Sequence, residues 1–152
     1  MELIVFSFLN GDYAIELNKI KVILVYSQIK ITPLFDEKVW ITGVTNLRGE
    51  VTPIVDLRVR FGEQIPEFTE DTVVIVVKTS EDKLIGIIVD RIESIKNLGT
   101  NVLSPPPDLA LGINPKYISG LIKTSYNEMI TLLDIEKILQ IDELIDTKES
   151  NF

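Results

Sequence analysis

Thr52-Pro53-Ile54-Val55-Asp56-Leu57 and Ile130-Thr131-Leu132-Leu133-Asp134-Ile135 are two versions of one phrase, 78 residues apart. In both, an aliphatic run ends on aspartate just before residues with helical spacing, a pattern of strand, cap and helix. Reading outward, Ile41-Thr42-Gly43-Val44 returns as Ile118-Ser119-Gly120-Leu121. Tyr13-Ala14-Ile15-Glu16-Leu17-Asn18-Lys19-Ile20 matches Ile85-Gly86-Ile87-Ile88-Val89-Asp90-Arg91-Ile92, offset by 72. Each half, residues 3–62 and 72–142, is therefore hairpin, bridging turn, hairpin and short helix. The ordered recurrence predicts an internal duplication in a mainly β chain: two small β-barrels that close their own edges. The copies of each hairpin should superpose, each pair in its own barrel.

The punctuation sets the elements. Asn10-Gly11-Asp12 between Ile4–Leu9 and Tyr13–Leu17 is a hairpin signal, because Asn and Gly tolerate positive φ. Leu17–Ile20 reads as one helical turn before a strand at Val22–Tyr26, and Pro33 interrupts the segment after it and bars a central strand in that segment. Phe35–Trp40 reads as a short helix or turn. Leu47-Arg48-Gly49 joins Ile41–Asn46 to Glu50–Asp56, and Leu57–Phe61 is a helical turn stopped by Gly62. Gln64–Asp71 is an exposed acidic loop, followed by strands Thr72–Thr79 and Leu84–Val89. After Ile95 the chain reads as irregular. Ile118–Thr124 and Met129–Asp134 form the last hairpin, Ile135–Leu144 a terminal amphipathic helix, and 146–152 a frayed polar tail.

Composition excludes whole classes of chemistry. The chain has 152 residues and no cysteine or histidine, which removes disulfides, thiol nucleophiles, Ser-His-Asp relays and zinc sites. A net charge of −8 makes nucleic acid a poor partner. Aliphatic runs fall far short of the roughly 20 residues of a spanning helix. Met1–Leu9 lacks a basic n-region, so the default compartment is the cytoplasm. Neither a Walker pattern nor GxGxxG is present, and no cofactor is expected.

Asp56, Asp90 and Asp134 each end an aliphatic strand. They could form an acid/base or magnesium cluster, but their recurrence favours helix N-caps, so that Asp56→Asn should cost only a few tenths of a kcal/mol. Gly43 and Gly120 mark bulges or barrel bends. Trp40 reads as a core plug. Arg48 should project into solvent, either solvated, paired with Glu50, or used in docking. The matching turn, 124–128, has no arginine.

Gly43-Val44-Thr45-Asn46-Leu47-Arg48-Gly49, with Thr52-Pro53-Ile54-Val55-Asp56-Leu57-Arg58 after it, closely resembles the signature of the bacterial chemotaxis coupling family CheW. Asp71-Thr72-Val73-Val74-Ile75-Val76, Gly86-Ile87-Ile88-Val89-Asp90 and Leu133-Asp134-Ile135-Glu136-Lys137-Ile138-Leu139 extend it from Leu3 to Leu144. The resemblance implies two intertwined SH3-like five-stranded barrels with short helices, a C-terminal helix and a hydrophobic groove between the barrels. It implies a single domain over 1–145 and a non-enzymatic adaptor. Such an adaptor bridges the cytoplasmic tips of chemoreceptors to the regulatory domain of the histidine kinase CheA, with weak self-association in arrays. Carried over by position, Leu17 and Ile20 lie on the receptor-facing groove, and Gly43, Asn46 and Arg48 form the coupling turn. Val73 and Val74 match receptor-contact positions. Val22 stands where the family often carries Glu, replacing a polar contact by an apolar one. The same domain occurs in CheV and in CheA, but neither a receiver nor a kinase segment fits here, so a free-standing adaptor is expected. Similar adaptors serve pilus and surface-motility pathways. An alternative of another class is a small-ligand binder or hydrolase using the groove and the aspartates.

Overall fold

In the computed structural model, which describes residues 1–34, 40–97, 103–104, 113–124 and 128–139, strands β1 (Glu2–Phe8) and β2 (Gly11–Glu16) pair with Phe8 opposite Gly11. The turn is therefore Leu9-Asn10, both at positive φ, one residue earlier than the Asn-Gly step suggests. Gly11 sits in the strand because a Cβ there would lie 3.0 Å from the Tyr13 ring. That ring packs 4.2 Å from Phe8.

A single 3-10 turn, Leu17–Lys19, leads into β3 (Ile20–Val25). A second, Tyr26–Gln28, precedes the two-residue β4 (Thr32–Pro33), where the proline takes the sheet edge as expected. β5 (Ile41–Leu47) and β6 (Glu50–Asp56) form the next hairpin, capped by helix α1 (Leu57–Arg60). β7 (Val73–Lys78), β8 (Leu84–Val89) and β9 (Arg91–Asn97) follow, then β10 (Leu103–Ser104), β11 (Ile118–Lys123), β12 (Met129–Leu133) and α2 (Ile135–Ile138). The expected continuation of α2 to Leu144, the polar tail and most of the Phe35–Trp40 turn lie outside the described residues. β9, a strand the sequence reading did not single out, runs two residues past Ile95, where irregular chain was expected. Among the described residues no helix is long and apolar enough to cross a membrane.

The strands form two six-stranded sheets, ordered β10-β11-β12-β2-β1-β9 and β4-β5-β6-β8-β7-β3. Moving each strand of the first half onto its counterpart (β1 to β7, β2 to β8, and so on) converts one order into the other. Even the parallel contacts correspond, β12 with β2 and β6 with β8. So do the bulges: between Ile20 and Val22 on β3 and between Ile92 and Ser94 on β9. The duplication is therefore structural.

Equivalent hairpins nevertheless fall in different sheets, which corrects the expectation that each pair shares a barrel. The hairpin β1–β2 leaves its own half and completes the sheet of β9–β12, while β7–β8 completes the sheet of β3–β6. The second sheet curls on itself. Its edge strands β3 and β4 are consecutive in the chain, and Tyr26, Ile29 and Ile31 between them cover its core.

Exchange explains the burial. Ile4, Phe6 and Phe8 on β1 and Ile75 and Val77 on β7 face a shared core between the sheets. Their alternates fill separate interiors: Leu3 and Val5 with Ala14, Ile122, Ile130 and Leu132 in the first sheet, Val74 and Val76 with Ile54 and Ile88 in the second. Central strands buried on both faces read as unbroken aliphatic runs rather than as alternation.

Candidate functional site

The β5–β6 turn is built for a protruding tip. Leu47 pairs with Glu50, leaving Arg48 (φ 52°) and Gly49 (φ 84°) as a two-residue loop with both φ positive, the type I′ arrangement whose twist matches a hairpin. Asn46 Oδ1 accepts the Gly49 N–H at 2.8 Å, so its role here is to close the turn. Gly43 is the hinge below. The register shifts between Ile41 and Gly43, and a Cβ at Gly43 would run into the Thr32 carbonyl of β4. Gly120 sits at the equivalent bulge on β11.

Arg48 is exposed, and its side chain makes no hydrogen bond or ion pair with the described residues; the local pair with Glu50 does not form. Arginine in the left-handed region is strained by about 1–2 kcal/mol relative to glycine, which points to a use for the guanidinium. Beside it stands Val51, opposite Asn46 and 70% exposed. Sequence reasoning missed Val51, although Met129, its repeat counterpart, is also exposed.

A second surface lies at the rim of the shared core. Leu17, Ile20 and Val73 are partly buried against that core. Ile23 and Val25, each opposite a β7 residue of the shared-core face (Ile75 and Val73), extend the rim as an exposed apolar lip. Directly paired residues share a face. Val22 and Val74 do not belong to this lip. Val22 points to the other face, into the interior of the second sheet, and Val74 is fully buried there. Val74 is thus core, and Val22 packs half-buried against that same core. In the sheet order β7 and β8 lie between the lip on β3 and the β5–β6 hairpin that carries Arg48, so the lip and the turn stand on different strands.

The aspartates do not converge. Asp56 and Asp134 cap α1 and α2, accepting from Arg58 N–H at 3.0 Å and Lys137 N–H at 3.1 Å. Asp90 is not a helix cap, a correction. It accepts from Arg58 Nη1 at 3.0 Å between β8 and β9. Asp56 in turn takes Arg58 in a fork, Nε to Oδ1 at 3.0 Å and Nη2 to Oδ2 at 2.9 Å. Arg58 is fully buried, donates also to the Glu67 carbonyl, and lies 4.7 Å from the Phe68 ring, which stacks on Tyr26. Burial works to lower its pKa, but hydrogen bonds to and charges of Asp56 and Asp90 outweigh it and raise the value. Asp56 and Asp90 are thus engaged in clamping Arg58 and the loop it holds, and Asp134 in capping α2.

Comparison with known proteins agrees with this architecture. The family model described as the CheW-like domain matches residues 2–143. The chain is 36% identical to the chemotaxis protein CheW of Klebsiella aerogenes, over 94% of this chain and 84% of that one. It is 30% identical to the Thermotoga maritima protein of that name, over 90% and 87%. A crystal structure of the scaffolding protein CheW from Thermoanaerobacter tengcongensis superposes with a TM-score of 0.82 at 25% identity, covering 91% of this chain and 92% of that one. These names denote a chemotaxis protein and a scaffold, not a catalyst. The family model over nearly the whole chain, the relatives and the superposed structure agree, and the chain belongs to the CheW family.

Proposed function

We propose that this protein is a cytoplasmic adaptor that couples chemoreceptor tips to the regulatory domain of the kinase CheA. The observation that carries the reading is Arg48: an exposed guanidinium, unpaired among the described residues and held at strain on a hairpin tip of an acidic protein. Such a group gains most when a partner supplies carboxylate or carbonyl acceptors. The lip of Leu17, Ile20, Ile23, Val25 and Val73 suits an amphipathic helix, the form of a receptor tip. Two separated surfaces allow both partners at once, and modest interfaces suffice in an array where each subunit has several.

The test is affinity for a receptor-tip fragment and for the kinase regulatory domain, measured beside melting temperature. Arg48→Ala should weaken one partner by about 2 kcal/mol or more while changing stability by no more than about 0.5. Arg48→Lys should restore part, since ammonium lacks the planar fork. Ile23→Asp should weaken the receptor fragment alone. Unchanged affinity of folded Arg48→Ala and Ile23→Asp for both partners would sink the proposal.

A further inference from the structure

Trp40 and Tyr117 are repeat counterparts, each just before the first strand of its hairpin. Each carbonyl accepts the backbone N–H of the aspartate that caps the following helix, Asp56 at 2.7 Å and Asp134 at 2.8 Å. The two aromatic residues therefore hold equivalent places in the two halves. Arg60 lies between them. Its guanidinium carbon is 5.1 Å from the Trp40 ring centre, 5.2 Å from Tyr117 and 5.8 Å from Phe61.

Three features set this arginine apart. Its repeat counterpart is Ile138, 2% exposed in the shared core, so an apolar side chain satisfies the same place in the other half. Nη2 donates to the Tyr117 hydroxyl at 2.8 Å, but Nε is buried without a hydrogen-bond partner. Among the described residues no carboxylate comes within ion-pairing reach of Arg60, nor of Lys116, whose Nζ lies 4.9 Å from the Tyr117 ring. Arg58, two residues away, holds two carboxylates. In a chain of net charge −8, two cations over an aromatic floor with no carboxylate in ion-pairing reach among the described residues stand out.

Aromatic faces hold a cation in place without neutralising it, so it keeps its demand for an anion. A guanidinium fixed this way is preorganised for a planar carboxylate, and the rings offer apolar contact to the stem that carries it. We propose that the Trp40–Arg60–Tyr117 cage, with Lys116 at its margin, is a docking site for an acidic segment of a protein partner, received through an aspartate or glutamate carboxylate. The site lies at the opposite end of the β5–β6 hairpin from Arg48, roughly 20 Å away at the rise of a seven-residue strand. It is independent of the two surfaces above.

Trp40 is the only tryptophan, so its fluorescence reads this cage alone. The full chain is titrated with hexaglutamate, with hexaglutamine as neutral control and inorganic phosphate as the free-anion arm. Hexaglutamate should give a saturable change that weakens with salt, and the other two should give none. Arg60→Gln should abolish saturation, Arg60→Lys should weaken it about tenfold, and Arg48→Ala should leave it unchanged. Absence of saturation with the wild-type chain, equal saturation by phosphate, or saturation surviving in Arg60→Gln would overturn the assignment. If Arg60→Gln does not fold, Lys116→Gln at an exposed position decides: several-fold weaker hexaglutamate binding supports the site, and unchanged affinity overturns it.

Discussion

Asp56 and Asp134 occupy one position in the repeat and do different work. Both cap a helix, but only Asp56 also compensates a buried guanidinium, because the residue two places on is Arg58 in one half and Glu136 in the other. Asp134→Asn should therefore cost a few tenths of a kcal/mol, asparagine being as good a cap. Asp56→Asn should cost about 2–4 kcal/mol, since removing one partner of a buried pair leaves the other charge uncompensated and Asp90 covers only part of it. Urea midpoints decide; equal small losses would show that the Arg58 fork adds little. Arg48→Gly should raise stability by about 0.5–1 kcal/mol by relieving the left-handed backbone, while losing whatever the guanidinium binds. Asp12 gives a pH-dependent case. Burial first, then the charges of Glu93 and Glu128, hold its carboxyl above the ordinary range against the pull of Arg91 and Lys96. The native state then binds more protons than the unfolded chain across that window, so stability falls as pH rises through it. Asp12→Asn should match the wild type well below the carboxylate range and exceed it above. A deficit at neutral pH would contradict this.

At the scale of elements, hairpins and short helices were legible because turn chemistry and aliphatic runs are local signals. β9 was not. Arg91, Glu93 and Lys96 mask an edge strand whose alternate residues face solvent, and only the repeat, which places it on β3, could have found it. The clamp on Arg58 was hidden for a related reason: sequence assigns arginine to the surface, whereas here one carboxylate comes from the same strand end and another from 32 residues away. Val22 and Val74 lie in unbroken aliphatic runs, where sequence cannot tell which alternate residues face the lip and which the interior; only the register does. Glycines test the element packing. At Gly86 an added methyl meets the flexible end of Ile54 at 2.6 Å and a methyl of the stiffer Val74 at 2.7 Å, side-chain rather than main-chain obstacles, and the counterpart Ala14 carries that methyl already. Gly86→Ala should cost about 1–3 kcal/mol. Gly43→Ala should cost more, because the obstacle is the Thr32 main chain and β4 must detach. A smaller loss at Gly43 than at Gly86 in denaturant titrations would refute that account of the bulge.

For the whole molecule, the shared core joins Phe6, Phe8 and Ile15 of one sheet to Val55, Ile75 and Ile87 of the other. Neither sheet can open without exposing it. Heat should therefore unfold the protein in one transition, with calorimetric and van't Hoff enthalpies equal; two resolved transitions would mean that the sheets are separable. The duplication was readable from sequence, but its exchange of hairpins was not. Both arrangements, exchanged or self-contained, bury the same residues in equivalent settings, and no local pattern distinguishes them.

That exchange also fixes the order in which the protein can be born. Strands β3 to β8 are contiguous, residues 20 to 89, so the inner sheet can close while the rest is still being made. The hairpin β1–β2 leaves the ribosome first yet must wait for β12, which ends at Leu133. At about 5–20 residues per second, translation from Val89 to Leu133 takes roughly 2–9 s. β9 can join β1 early in that interval, but the other edge of the hairpin, β2, has no neighbour until β12 is made. The earliest strands are the last to be housed, and nascent chains stalled between those points are where this fold is most open to capture or error.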